Sequence, residues 1–215
     1  MRNTSGVKRK IELRRQNILE VGYKLYSGNS IDAVSMQRIA DAGGISFATM
    51  YRYFESKLAL VVEIGALKWG EFARENAAWM DEDGAASMTA AEQFGKYLDR
   101  YIYLYRERQD LLRFNQYFNV FVSHEECDPA VLKPYLDIID GIADRFHGIY
   151  EKAKADGTLR TDIPEQEMFA GTLHIMLAAA TRYAVGLVYQ PEGSDPEREL
   201  LQLRDMMLRE YVITK

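Results

Sequence analysis

Residues 35–57, SMQRIADAGGISFATMYRYFESK, constrain this chain more than any other stretch. Ser35 is a good N-cap for a short helix over about 36–42, whose inward residues would be Met36, Ile39 and Ala40. Gly43 and Gly44 stop that helix and allow a tight turn. Ser46 caps a second short helix over about 47–53, with Met50 and Phe54 turned inward, and Ser56 caps a longer one from 57 to about 80. Two short helices separated by a glycine turn are the outline of a helix-turn-helix unit, which lays its second helix in the major groove of DNA.

The rest of the chain keeps a helical period and shows no convincing strand. Before the motif, residues 9–27 carry Ile11, Ile18, Val21, Gly22 and Leu25 at three- and four-residue spacing. After it, the spacing predicts helices over about 88–107, 110–123, 129–155, 165–189 and 197–213. Breaks fall at Glu82-Asp-Gly84, Asp156-Gly157, Asp162-Ile163-Pro164 and Gln190 to Pro196. The expected fold is all-α with about nine helices. An N-terminal three-helix DNA-binding helix-turn-helix domain over 1–57 precedes a larger helical domain over 58–215.

Charge divides the chain along the same line. Residues 1–57 hold ten Lys and Arg against five Asp and Glu, a net of +5, while the whole chain carries −5, so the remainder carries −10. A basic head suits a polyanion through phosphate neutralisation, and an acidic body does not. The 47 % apolar content is that of a globular protein. No apolar run is long enough to span a bilayer, the basic N-terminus lacks the apolar core of a secretory signal, and Cys127 stands alone. A cytoplasmic protein with no membrane partner is expected.

The start of the second motif helix (Ser46, Phe47, Ala48, Thr49) would meet base edges, with Phe47 able to touch a thymine methyl. Tyr51, Arg52 and Tyr53 can place hydroxyls and a guanidinium on bases or phosphates, and Lys57 can join the helix amides behind it in holding one phosphate. Arg14, Arg15 and the tail before them can add phosphate contacts. The same residues also fit two ordinary packed helices joined by a glycine turn.

Residues 11–60, about a quarter of the chain, resemble the N-terminal domain of the TetR family of bacterial transcriptional regulators. The matching pieces are Ile18-Leu19, Leu25-Tyr26, Asp32 to Met36, Ile39-Ala40, Gly44-Ile45-Ser46, Thr49 to Phe54, and Ser56-Lys57 with Leu60. Tyr51-x-Tyr-Phe-x-Ser-Lys57 is the most specific run. The resemblance implies DNA contacts at Ser35 and Gln37, at Phe47, Ala48, Thr49, Tyr51 and Tyr53, and at Lys57. The chain departs from the family pattern at Gly22 and Gly43, where alanine is common, and at Ser30, where glycine is common. The resemblance further implies a ligand-binding and dimerisation domain beyond about residue 65. The chain would then be a homodimeric repressor, released from a palindromic double-stranded operator by a small-molecule effector.

The body offers Trp69, Phe72, Trp79, Tyr97, Tyr101, Tyr105, Phe114, Tyr117, Phe118 and Phe121, aromatics that can line an apolar pocket or pack a core. Asn115, Gln116, His147 and His174 can orient a ligand. A homodimer is expected through the last two helices, with Leu173, Leu177, Ala180, Ala184 and Leu187 on one and Leu200, Leu203, Met207 and Tyr211 on the other. Two other readings compete. An all-helical ligand- or protein-binding adaptor accounts for the aromatic body but leaves Ser35 to Lys57 unexplained. A metal-dependent helical enzyme would use Asp144-x-x-His147 or His124-Glu-Glu-Cys127, but no second Glu-x-x-His accompanies them, and neither a catalytic triad nor a phosphate loop can be assembled. No catalytic residue, metal ligand or cofactor is therefore assigned.

Overall fold

The structure, a computed structural model, describes residues 4–82, 84–189 and 191–213, with side chains other than those of 4, 5, 79–82 and 85. Trp79 lies outside the described side chains. Among the described residues there are nine α-helices: α1 (Thr4–Gly28), α2 (Met36–Ala42), α3 (Phe47–Tyr53), α4 (Lys57–Glu82), α5 (Ala90–Glu107), α6 (Gln109–His124), α7 (Pro129–Asp156), α8 (Glu165–Val185) and α9 (Pro196–Tyr211). The all-α expectation holds, with a single 3-10 turn at Ala85–Ser87 and one isolated antiparallel bridge between Leu159 and Val212.

The chain packs as two compact units. One holds the residues up to Lys68 together with Phe114–Leu136, and the other holds Trp69–Arg113 together with Asp137 onward. By packing, the first unit takes in the start of α4, most of α6 and the start of α7.

The first unit is built on the apolar stripe of α1. Ile18 and Tyr26 are fully buried, and they share a core with Ile39 and Ala40 of α2, Met50 of α3, and Leu60, Val61 and Ile64 of α4. Each such aliphatic side chain contributes roughly 1.5–3 kcal/mol by leaving water. At Gly22 α4 approaches closely: a Cβ there would lie 2.7 Å from Ile64 Cδ1, the far end of that side chain. Two ion pairs tie α1 to α4, Arg15 with Glu63 and Lys68 with Glu20, the latter at 2.6 Å. The buried Lys68 ammonium also lies 4.9 Å over the Tyr23 ring, so its charge is paired rather than stranded. On α6, Phe114, Phe118 and Phe121 recur at helical spacing. Phe114 meets Tyr23, Phe118 meets Tyr135 at 4.5 Å, and a Cβ on Gly65 would lie 3.2 Å from both Phe118 and Tyr135.

In the second unit α5, α8 and α9 pack against one another. Thr89 and Glu92 form a capping box at the start of α5, a T-x-x-E signal present in the sequence. The loop after α7 completes the cap. The Asp156 carboxylate accepts from Ala90 N at 2.7 Å, from Thr158 N and from Thr158 Oγ1, which itself accepts from Ala91 N. Burial pushes the Asp156 carboxyl up, but these hydrogen bonds outweigh it and hold its pKa below the ordinary 3.8. Asp156→Ala leaves two backbone donors without their acceptor. It should lower the melting temperature by a few degrees, at about 2–4 °C per kcal/mol for a chain of this size, as followed by circular dichroism. The depressed carboxyl contributes stability above about pH 3.8 that is lost as pH falls through its lower folded value, so the gap between Asp156→Ala and wild type should close in acid.

Two helix ends differ from expectation. The helix expected to reach 189 stops at Val185, because Gly186 takes a positive φ of 106° that breaks the helical path. The first helix begins at Thr4 and so includes Lys8, Arg9 and Lys10.

Candidate nucleic-acid interface

The turn between α2 and α3 is built as its sequence requires. Ser35 Oγ accepts from Arg38 N at 3.2 Å and caps α2. Gly43 closes that helix, and Gly44 follows with φ +65°, a conformation that L side chains rarely adopt. Ser46 Oγ then accepts from Thr49 N at 3.2 Å and caps α3. Met36, Ile39, Ala40, Met50 and Phe54 all point into the core, as the spacing indicates.

What remains outside is a continuous polar and aromatic face. On α3, Phe47, Ala48, Tyr51 and Arg52 are exposed, Thr49 and Tyr53 are half-buried, and Phe47 and Tyr51 brace each other edge to face at 4.9 Å. Ser46 Oγ and Thr49 Oγ1 lie 2.8 Å apart, which orients the threonine hydroxyl toward the first turn of the helix. On α2, Ser35 and Gln37 are exposed, and Gln37 Nε2 donates to Asp41 Oδ1 at 2.6 Å. That bond uses one Nε2 hydrogen and leaves the other, with Oε1, for a base edge. Ser56 caps α4 by accepting from Ala59 N at 3.0 Å. Lys57 follows as the first residue of α4, half-buried, with its ammonium 5.4 Å over the Phe121 ring. Burial lowers the Lys57 pKa, and the nearby Asp32 and Glu125 oppose that shift.

Arg15 departs from the phosphate contact that its place in the sequence suggests. Its guanidinium pairs with Glu63 and lies 5.0 Å over the Phe54 ring. It fastens α1 to the core and is engaged there.

The residues expected to line a ligand pocket are divided between the two compact units. Phe114, Phe118 and Phe121 are buried in the first unit, and Tyr117 is half-buried there. Trp69, Phe72 and Tyr101 are buried in the second unit, where Tyr101 shares a 2.9 Å hydroxyl hydrogen bond with Tyr97, and the half-buried Tyr105 faces Tyr183. His147 and His174 are exposed, so neither orients a group inside the bundle. His147 pairs with Glu165 at 3.0 Å, not with Asp144, and that bond raises the imidazole pKa above 6.5. Among the described residues, His147, Glu151 and Glu165 bring ligand atoms within 4.8 Å of one another, and Lys154 already sits 2.6 Å from Glu151. A groove of about 700 Å³ runs between α5 and α9, lined by Met88, Gly95 and Leu208 among others, and it contains none of the aromatics or histidines that the sequence nominates.

A capped helix, a positive-φ glycine turn and a second helix with an exposed reading face define a helix-turn-helix DNA-binding head. Residues 18–64 match the family model for bacterial regulatory proteins of the tetR family. That match takes in α2, α3 and parts of α1 and α4, so it is this head that is similar to the family's. No curated protein sequence matches the chain. Solved structures do match along nearly its whole length. The fatty acid degradation regulator FadR of Bacillus halodurans aligns with TM-score 0.70 at 12 % identity, covering 91 % of this chain and 94 % of its own. FadR of Bacillus subtilis, solved with stearoyl-CoA, aligns with TM-score 0.69 at 15 % identity, covering 90 % and 97 %. A protein of Saccharomonospora viridis solved with choline aligns with TM-score 0.73 at 18 % identity, covering 93 % and 98 %. At such identities the likeness is one of fold. Among the described residues no helix is long and apolar enough to cross a membrane.

Proposed function

We propose that this DNA-binding regulator is a ligand-responsive repressor. It binds a palindromic operator as a homodimer through residues 1–57 and is released by a small molecule held in residues 58–215. The observation that carries the DNA half is the face of α3: Phe47, Ala48, Tyr51 and Arg52 are exposed around a fully buried Met50, behind the Gly44 turn. Ser35, Gln37, Ser46, Thr49, Tyr53 and Lys57 extend this face toward bases and phosphates. Thr49→Ala should change the preferred base at one position, symmetrically in both half-sites, and leave affinity for unrelated duplexes unchanged. Selecting bound duplexes with each protein measures this, and identical preferences would remove Thr49 from the readout.

The dimer reading is supported around α8 and α9, where Leu173, Leu177, Leu187 and Leu203 are half-buried while others of the expected residues are engaged within the chain. Ala180, Ala184, Leu200 and Met207 are buried within the chain, and Tyr211 packs on Phe94 of α5 at 5.8 Å. The exposed apolar residues are Ile175 and Val185 on α8 and Leu201 and Met206 on α9. A palindromic operator calls for two reading heads about 34–36 Å apart, one turn of DNA, which a two-fold dimer suits. Ile175→Lys with Met206→Lys should give monomers in sedimentation.

The effector reading draws on the second unit, where Trp69 Nε1, Asn76 Oδ1 and Thr172 Oγ1 are buried without hydrogen-bond partners. Such groups favour a ligand that carries polar atoms as well as apolar surface. Binding must differ between operator-competent and released states, or the ligand shifts nothing. Helix α4 starts at Lys57 and continues into the second unit, so it is the element assigned to carry the change. Titrating candidate effectors into the protein–operator complex tests this by release of labelled duplex. A compound that binds the protein but leaves the complex intact is not the effector.

A further inference from the structure

Where α7 gives way to α8, three side chains able to bind a metal ion converge. His147 and Glu151 stand four residues apart on α7, so they share one face of that helix. Glu165, the first residue of α8, reaches the same point after the connecting loop. One imidazole nitrogen and one oxygen from each carboxylate lie within 4.8 Å of one another. The His147 Nδ1 is already 3.1 and 3.0 Å from the two Glu165 oxygens. The joint itself is fixed. Tyr150, buried and within one turn of both α7 ligands, donates its hydroxyl toward Ile163 O at 2.6 Å and Thr161 O at 3.2 Å. The backbone just before Glu165 is thereby held to α7, so all three ligands stand on positioned helical elements. The point also attracts a cation: the Lys154 ammonium lies 2.6 Å from Glu151 and 5.2 Å over the Tyr150 ring. Exposed ion pairs contribute little to stability, so folding alone does not call for this convergence.

We infer that His147, Glu151 and Glu165 form a binding site for a divalent transition-metal ion of the zinc class. Two carboxylates and a neutral imidazole balance a doubly charged ion. The nitrogen donor favours zinc and its neighbours in the first transition row over magnesium and calcium, which prefer oxygen ligands. Ligand atoms around a tetrahedral zinc ion, bonded at about 2.0–2.2 Å, lie roughly 3.3–3.6 Å apart. The His147–Glu165 pair therefore opens only slightly, and the exposed Glu151 closes on it by a change of rotamer. Water takes the fourth position. The incoming ion takes Glu151 from the Lys154 ammonium, which turns into solvent, and any second proton on the imidazole is released along with the one on Nδ1. The bound ion ties α7 to the start of α8 within the second unit. The site depends on neither the operator reading nor the effector reading.

The test is isothermal titration of zinc chloride into the full-length, untagged protein, with magnesium chloride as the comparison. One zinc ion should bind per chain and magnesium should not compete with it. Zinc at about a hundred times its dissociation constant should raise the melting temperature by roughly 5–10 °C. His147→Ala and Glu165→Gln should each abolish the binding and that rise. Lys154→Ala should bind zinc several-fold more tightly, because the internal competitor is gone. A merely structural lysine would not give that gain. The pairs these variants break are exposed on at least one side, so without metal each should melt close to wild type. A wild-type protein that binds no zinc, or binds magnesium as tightly, would overturn the inference. So would zinc binding that survives in both His147→Ala and Glu165→Gln, because the ion would then sit elsewhere on the chain. Zinc held no more tightly by Lys154→Ala would remove Glu151 from the ligand set and overturn the three-ligand site.

Discussion

Phe54→Ala should abolish operator binding and lower the melting temperature by roughly 6–20 °C. Phe54 is 1 % exposed and closes α3, with its amide donating to Met50 O. The Arg15 guanidinium lies over its ring while pairing with Glu63. Removing the ring takes away a buried aromatic, at a cost of about 3–5 kcal/mol, and leaves a cavity beneath the last turn of the reading helix. At about 2–4 °C per kcal/mol for a chain of this size, that gives the stated range. Arg15 loses its packing surface at the same time, which loosens α1 against α4. Thermal melts and duplex binding check the two halves. A variant that melts as wild type does would mean that Phe54 does not seat α3.

Lys57→Ala should weaken binding to every duplex alike, by about tenfold for each half-site. A charge-assisted bond to one phosphate contributes roughly 1.5–3 kcal/mol, and 1.4 kcal/mol is a factor of ten. The salt slope should flatten by about one for each phosphate left without its lysine, with no change in preferred sequence. The position of Lys57 makes the expectation specific. Its ammonium rests over Phe121 of α6, near Glu125 and Asp32, and it must leave that site to meet a phosphate. DNA and α6 therefore compete for one cation. Unchanged affinity and slope would show that the cation stays with α6 and that the phosphate is held by the amides of α4 alone.

The reading head is legible in the sequence because local rules decide it. Ser35, Ser46 and Ser56 cap three helices in succession, Gly44 supplies the positive φ, and three- and four-residue spacing places Met36, Ile39, Met50 and Phe54 inside. Long-range pairing is not legible. Nothing near Arg15 in sequence announces Glu63, and nothing near Ala90 announces Asp156. Gly22 reads as a weakness in a helix, yet Ile64 fills the space it leaves. On α8 and α9 the apolar period is real, but apolar residues occupy several faces, and periodicity does not say which face α5 covers. Spacing therefore puts Ala180 and Met207 outward when they are buried, while Ile175 and Met206 are the exposed ones. The body aromatics mislead for a related reason. Phe114 and Trp69 look alike in sequence and fall in different compact units, a consequence of how α4, α6 and α7 run through both.

The most direct test of the central claim is selection of bound duplexes from a random pool by the purified protein at near-physiological salt. The expected result is enrichment of a palindrome whose half-sites lie one helical turn apart, as two α3 helices would require. Binding with no enriched sequence, abolished by a modest rise in salt, would contradict it and leave only the electrostatics of a basic head.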